Sequence, residues 1–260
     1  MSILQTIVAH KREEVAARKR LMPAAALEQS ACFDTMGPSM AAALRNSSIG
    51  IIAEHKRRSP SRSVINNKTN LSEVVQGYKK AGASAISILT DTAFFGGSLD
   101  DLALASTTVS LPVLRKEFII DPYQIIEAKA YGANAILLIA AVLTDHELKS
   151  FSQLAKQLNL DVLLEVHNHE ELLRSLLPSV DMLGVNNRNL KTFEVSIEIS
   201  KKLAAEIPSD FVKISESGIN EVSAITELRD HGFQGFLIGE HFMKNDNPGQ
   251  AASDFIKQIG

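Results

Sequence analysis

Eight short apolar runs, each followed by a segment of helical period, constrain this 260-residue chain more than any other feature. They are GIIAEHK (50–56), ASAISILT (83–90), LPVLRKEF (111–118), NAILLIAA (134–141), DVLLEVH (161–167), MLGVNN (182–187), FVKISES (211–217) and GFLIGE (235–240). Runs that are apolar on both alternating faces read as strands buried on two sides, as in a parallel sheet covered by helices. Between them, LSEVVQGYKKAG, DPYQIIEAKAYGA and NEVSAITELRDHG carry helical patterns. Gly82, Gly132 and Gly232 fall where a helix C-terminus needs a left-handed residue, and Asp121-Pro122 and Asn220 fall where a helix starts. Eight βα units in about 210 residues fit a closed α/β barrel, the (β/α)8 or TIM barrel, better than an open doubly wound sheet. An open dinucleotide-binding sheet would carry G-x-G-x-x-G after its first strand. EHKRRSPS stands there instead, and the Gly96-Gly97 pair reads as a turn.

No linker or shift of composition divides the chain, so one domain is expected, with residues 1–45 as an N-terminal helical extension and 46–260 as the barrel. In the extension Ile3, Leu4, Ile7, Val8 and Val15 recur at helical spacing and should dock on the barrel. That segment is neither a signal peptide nor a membrane span. The net charge of −3 gives no footprint for nucleic acid or an anionic membrane, so any bound anion must be held locally. The single Cys32 forms no internal disulfide, fits a cytoplasmic setting and reads as a small buried apolar residue. His167-x-His169, followed by Glu170 and Glu171, has poor spacing for sharing one ion, so no metal is assigned.

In a barrel of this kind the chemistry gathers at the C-terminal ends of the strands. Here the first run ends in Glu54 and Lys56, the third in Arg115, Lys116 and Glu117, the fifth in Glu165, the sixth in Asn186 and Asn187, and the seventh in Glu216 and Ser217. Alternation puts Glu54 with Lys56, and Lys116 with Phe118, on one side. A charge at one strand end is usually solvated, but five such ends point to a pocket. Gly218 in SESGI and Gly239 in FLIGEHFM follow the seventh and eighth runs, where this fold commonly holds a phosphate on backbone N–H groups.

These motifs, together with IVAHKREEV, SILTDTAFFGGSLDDL, LPVLRKEFIIDPYQI and LGVNNRNL, resemble indole-3-glycerol phosphate synthases along nearly the whole chain. The resemblance implies ring closure of 1-(o-carboxyphenylamino)-1-deoxyribulose 5-phosphate with loss of CO2 and water, without metal or organic cofactor. It implies Lys116 as the general acid, eased by cations such as Lys56 and by partial burial. Glu165 would transfer protons in the dehydration or stabilise the developing iminium. Lys56 would hold the anthranilate carboxylate, and Glu54 would orient that lysine or share the proton transfers. Asn186, Arg188 and Glu216 would contact substrate polar groups, and Ser59, Ser217, Gly218 and Gly239 its phosphate. Phe95, Phe118, Leu137 and Leu190 would form the slot for the aromatic ring, although each is equally at home in a core. The loop reading VINNKTN and Ala93 depart from the family pattern, which bears on loop closure rather than on reaction type. Two alternatives stand beside this one: an isomerase barrel with a Cys and Asp pair, against which Cys32 lies before the first strand, and a noncatalytic phosphate-binding barrel.

Overall fold

The computed structural model describes residues 2–189 and 192–259. Three helices come first: α1 (Ile3–Leu21), α2 (Ala24–Leu27) and α3 (Met40–Arg45). All eight runs then form strands: β1 (Gly50–His55), β2 (Ala85–Leu89), β3 (Val113–Lys116), β4 (Ala135–Ile139), β5 (Asp161–Val166), β6 (Met182–Asn186), β7 (Val212–Glu216) and β8 (Gly235–Ile238). Neighbours pair in parallel in chain order and β1 pairs with β8, so the sheet closes on itself as a (β/α)8 barrel. Helices α4 (Leu71–Ala81), α5 (Leu99–Thr108), α6 (Pro122–Ala130), α7 (Asp145–Gln157), α8 (His169–Ser175), α9 (Glu198–Ala204), α10 (Val222–Asp230), α11 (Glu240–Met243) and α12 (Pro248–Lys257) complete the described helices.

Each strand is shorter than its apolar run, because the run's ends serve the turns. Ala83 donates its N–H to Tyr78 at the close of α4, and Glu117 and Phe118 leave the β3 ladder. Gly82 caps α4 at φ 92°, a conformation that side chains with a Cβ rarely adopt. Asp121 caps α6 by accepting the Tyr123 N–H, as its sequence indicates. Asn220 does not cap α10: the N-cap is Glu221, without a side-chain bond, and Asn220 lies instead at the barrel mouth. Cys32 is only half-buried, because its segment runs over the surface beside Gly132.

Alternation along the strands makes two apolar regions. Outward residues such as Ile51, Ile86, Ile136, Val162 and Phe236 pack against the helices. Inward residues Ile52, Leu114, Leu137, Leu163, Met182, Ile214 and Leu237 fill the barrel, joined by Met40, Ala41 and Leu44 of α3. A Cβ on Gly50 or Gly235, at the N-terminal ends of β1 and β8, would meet the Leu44 side chain, so α3 plugs that end.

Helix α1 lies toward the opposite end. Its buried face carries Lys11 between Ile7 and Val15. Lys11 Nζ lies 2.8 Å from Asp91 Oδ2, 3.1 Å from Glu117 Oε1 and 2.8 Å from Glu14 Oε2. Glu14 pairs with Arg18, Arg18 with Glu127, Glu127 with Arg115, and Arg115 reaches back to Glu117 at 3.8 Å. The result is a closed ring of alternating charge tying α1 to β3 and α6. Burial works against the Lys11 ammonium, yet Glu117 and Asp91 outweigh it and raise its pKa.

Candidate functional site

Inward residues near the C-terminal strand ends line a cavity of about 630 Å³. Strand parity splits the charged run Arg115-Lys116-Glu117: Lys116 faces this cavity, whereas Arg115 and Glu117 carry their charges outward into the α1 ring. Glu117 nonetheless borders the cavity.

At the floor, Lys116 Nζ is 3.0 Å from Glu216 Oε2, 3.8 Å from Glu54 Oε2 and 3.9 Å from Glu165 Oε2. Lys56 Nζ is 2.9 Å from Glu54 Oε1, as expected for two residues on one face of a strand end. The three carboxylates are 1–5% exposed. Glu54 additionally faces the Ser87 hydroxyl at 3.4 Å. Glu165 Oε1 accepts from Asn186 Nδ2 at 3.1 Å, and Asn186 Oδ1 accepts the Arg188 N–H, so β6 braces β5.

The expectation that cations and burial would loosen the proton on Lys116 is overturned. Burial does push it down, but Glu216, Glu54 and Glu165 together raise its pKa well above the ordinary lysine value. An unlike pair at 4 Å attracts by about 4 kcal/mol at an effective dielectric of about 20, and three such pairs exceed a burial effect of about 3–5 pK units. Lys116 is therefore an ammonium. Glu54 stays low: burial raises it, and Lys56 and Lys116 outweigh that. Glu216 is raised, by burial first and then by Glu165 and Glu54 against the pull of Lys116. Glu165 is lowered, because His167, Lys116 and Asn186 overcome its burial.

Two glycines make room for this cluster. A Cβ on Gly239 would sit 2.4 Å from Glu54 Oε1, and one on Gly184 would sit 2.2 Å from Glu216 Oε1. At the other side of the cavity, Ser217 and Gly218 take left-handed φ values of 70° and 74°, turning the chain after β7. Ser59, Ser217, Gly218 and Gly239 all line the cavity. Phe95 and Phe118 do too, with ring centroids 5.8 Å apart, as do Leu137 and Arg188. Arg188 bonds the Phe193 carbonyl and pairs with Val195 in a short bridge. Leu190 lies outside the described residues.

Several lining residues escaped the sequence reading. Ile3, Leu4 and Ile7 of α1 form part of the wall, along with Phe193 and Val195. The spacing of His167 and His169 makes His167 a poor metal ligand, yet its Nε2 is 3.3 Å from Glu165 Oε1. The signal was present: it stands two residues after Glu165, the same spacing as Glu54 and Lys56. His169 points elsewhere and pairs with Glu206. Among the described residues no three His, Cys, Asp or Glu side chains are grouped to hold a metal ion.

The barrel is shared with distant structures. One described as "Native KDPGal structure" matches with TM-score 0.61 at 14% identity, covering 82% of this chain and 94% of that one. Thiamine phosphate pyrophosphorylase from Pyrococcus furiosus matches with TM-score 0.60 at 15% identity, covering 81% and 96%. At such identities the likeness is one of fold alone. Sequence relatives say more. An indole-3-glycerol phosphate synthase of Bacteroides thetaiotaomicron is 47% identical over 99% of this chain and 98% of its own length. One of Koribacter versatilis is 44% identical over 98% and 99%, and one of Legionella pneumophila is 44% identical over 96% of each. The profile of the same family matches residues 4–255. Matched from its first helix to its last, the chain belongs to the indole-3-glycerol phosphate synthase family.

Proposed function

We propose that the residues around Lys116 carry out the family's reaction, the conversion of 1-(o-carboxyphenylamino)-1-deoxyribulose 5-phosphate to indole-3-glycerol phosphate, CO2 and water. The observation that carries this reading is the position of the Lys116 ammonium, within 4 Å of three buried carboxylates at the floor of one cavity. The phosphate would lie at Ser59, Ser217, Gly218 and Gly239, on hydroxyls and backbone N–H groups. The aromatic ring would lie between Phe95, Phe118 and Leu137. Lys56 would face the anthranilate carboxylate, held in place by Glu54.

Ring closure forms a bond from the aromatic carbon to the ketone carbon, and Lys116 gives a proton to the ketone oxygen as charge builds there. The carboxylate then leaves as CO2, its bonding electrons restoring the neutral amine. Dehydration then breaks the bond to the former ketone oxygen, by now a hydroxyl: Lys116, reprotonated from solvent, gives it a second proton as it leaves as water, and Glu165 takes a proton from the ring carbon. Among the described residues, Glu216 Oε1 has no hydrogen-bond partner although it is buried. A ribulose hydroxyl would supply one. Asn186 and Arg188 would meet the remaining polar groups. The scheme uses protein groups alone, in a cytoplasmic setting, and it engages neither nucleic acid nor membrane. Among the described residues no helix is long and apolar enough to cross a membrane.

Fluorescence of the indole product, followed on the purified chain, tests the reading. Turnover is expected, and Lys116→Ala should lower kcat by at least ~100-fold with a much smaller change in KM. Near-normal kcat in that variant would remove Lys116 from its role. Absence of any turnover in the intact chain would favour a binding barrel.

A further inference from the structure

We propose that His167 is a positioning residue for the reaction: its imidazolium, anchored by Glu171 at the start of α8, fixes the Glu165 carboxylate and keeps it ionised. The inference rests on the assignment of proton transfer to Glu165.

The geometry comes from the end of β5. Alternation sends Glu165 and His167 to the same side, and the imidazole then lies between two carboxylates. Nε2 is 3.3 Å from Glu165 Oε1, a charge contact without full hydrogen-bond alignment. Nδ1 is 3.1 Å from Glu171 Oε2. A neutral imidazole donates from one nitrogen and presents a lone pair at the other. Whichever tautomer it took, that lone pair would face a carboxylate oxygen. The doubly protonated ring is the form that suits both neighbours, and burial, which lowers its pKa, is overcome by Glu165 and Glu171, which raise it to about 10.

Glu171 is itself held firmly. Its carboxylate accepts the His167 N–H at 2.8 Å and Asn168 Nδ2 at 2.9 Å, while its own N–H bonds Asn168 Oδ1. These are the bonds that cap α8, so the helix start fixes Glu171, which fixes the ring, which fixes Glu165. From the other elements, the groups facing Glu165 are Asn186 of β6 and Lys116 of β3. Asn186 is neutral, and Lys116 is shared with Glu54 and Glu216. His167 thus supplies a positive charge that the other two carboxylates of the floor do not claim.

The consequence is chemical. A carboxylate that is to take a proton during turnover must begin without one, and a buried carboxylate left to itself would drift toward the neutral form. With the imidazolium removed, Glu165 should protonate at higher pH and swing more freely.

The test uses the full chain with His167→Asn, and Glu171→Gln as a second variant that leaves the cavity untouched. Infrared difference titration reads the protonation of Glu165, its band assigned by its loss in Glu165→Gln, alongside kcat and KM. In His167→Asn the Glu165 band should protonate at least about one pH unit higher than in the parent, with kcat down about tenfold or more and KM little changed. In Glu171→Gln the imidazolium should lose its proton at lower pH, and kcat should fall on the alkaline side first. An unshifted Glu165 titration in folded His167→Asn, or a kcat–pH profile like the parent's in folded Glu171→Gln, overturns the inference. Full activity in Glu165→Gln would instead overturn the role of Glu165 itself, whatever His167 does.

Discussion

The missing Cβ of Gly184 leaves room for Glu216 Oε1, since a methyl there would stand 2.2 Å from that oxygen. In Gly184→Ala the carboxylate is expected to rotate away from Lys116, which it now meets at 3.0 Å. Displacement of a reacting group by about 1 Å costs up to ~100-fold in rate, so kcat should fall ~10- to 100-fold. The clash is with the far end of the Glu216 side chain, and Leu163 Cδ1, 3.1 Å from the added methyl, must give by a few tenths of an ångström, so the melting temperature should fall only a little; steady-state kinetics beside thermal unfolding would check both. An unchanged kcat would mean that the place of Glu216 is not used. At this scale the sequence was readable wherever alternation was applied consistently. It pairs Glu54 with Lys56 correctly, and the same rule would have paired Glu165 with His167. What alternation along one strand does not carry is the sign of the environment. The carboxylates around Lys116 come from β1, β5 and β7, and only closure of the barrel brings them together.

The elements were legible in kind and order, because eight apolar runs and their glycine stops are local signals. The placement of α1 was not. Its periodicity says that one face is covered, but the covering groups are Asp91, Glu117 and Glu127, far along the chain, and Lys11 among the apolar positions looks like a flaw in the pattern rather than its purpose. Lys11 is 1% exposed. Asp91, which it pairs, also accepts the N–H groups of Phe94 and Phe95, and Glu117 precedes Phe118. Both aromatic rings expected to flank the substrate are thus attached to acids that Lys11 neutralises. Lys11→Met should leave those acids buried without their counter-charge and cost about 3–5 kcal/mol, read from urea unfolding. It should also raise KM, as the aromatic wall loosens. A variant as stable as the parent would show that the ring contributes little beyond what a well-packed methionine restores.

Across the whole molecule, the two ends of the barrel do different work. At the N-terminal end of the strands α3 seals the interior with Met40 and Leu44, both essentially inaccessible to solvent. At the other end lie all the charged groups of the cavity. Leu44→Ala should therefore cost about 2–5 kcal/mol of stability and leave kcat unchanged, measured by denaturant unfolding and by turnover. A loss of turnover at temperatures where the variant stays folded would mean that the two ends are coupled. The closed ring through Lys11 has a further consequence during translation. Helix α1 leaves the ribosome ahead of these partners, and Glu127, the last of them, follows more than a hundred residues later. At ~5–20 residues per second the wait is roughly 5 to 22 seconds. Throughout it, a helix whose sticky stripe were wholly greasy would invite aggregation, whereas a lysine set in the middle of that stripe keeps the newborn segment wetted until its acidic partners arrive.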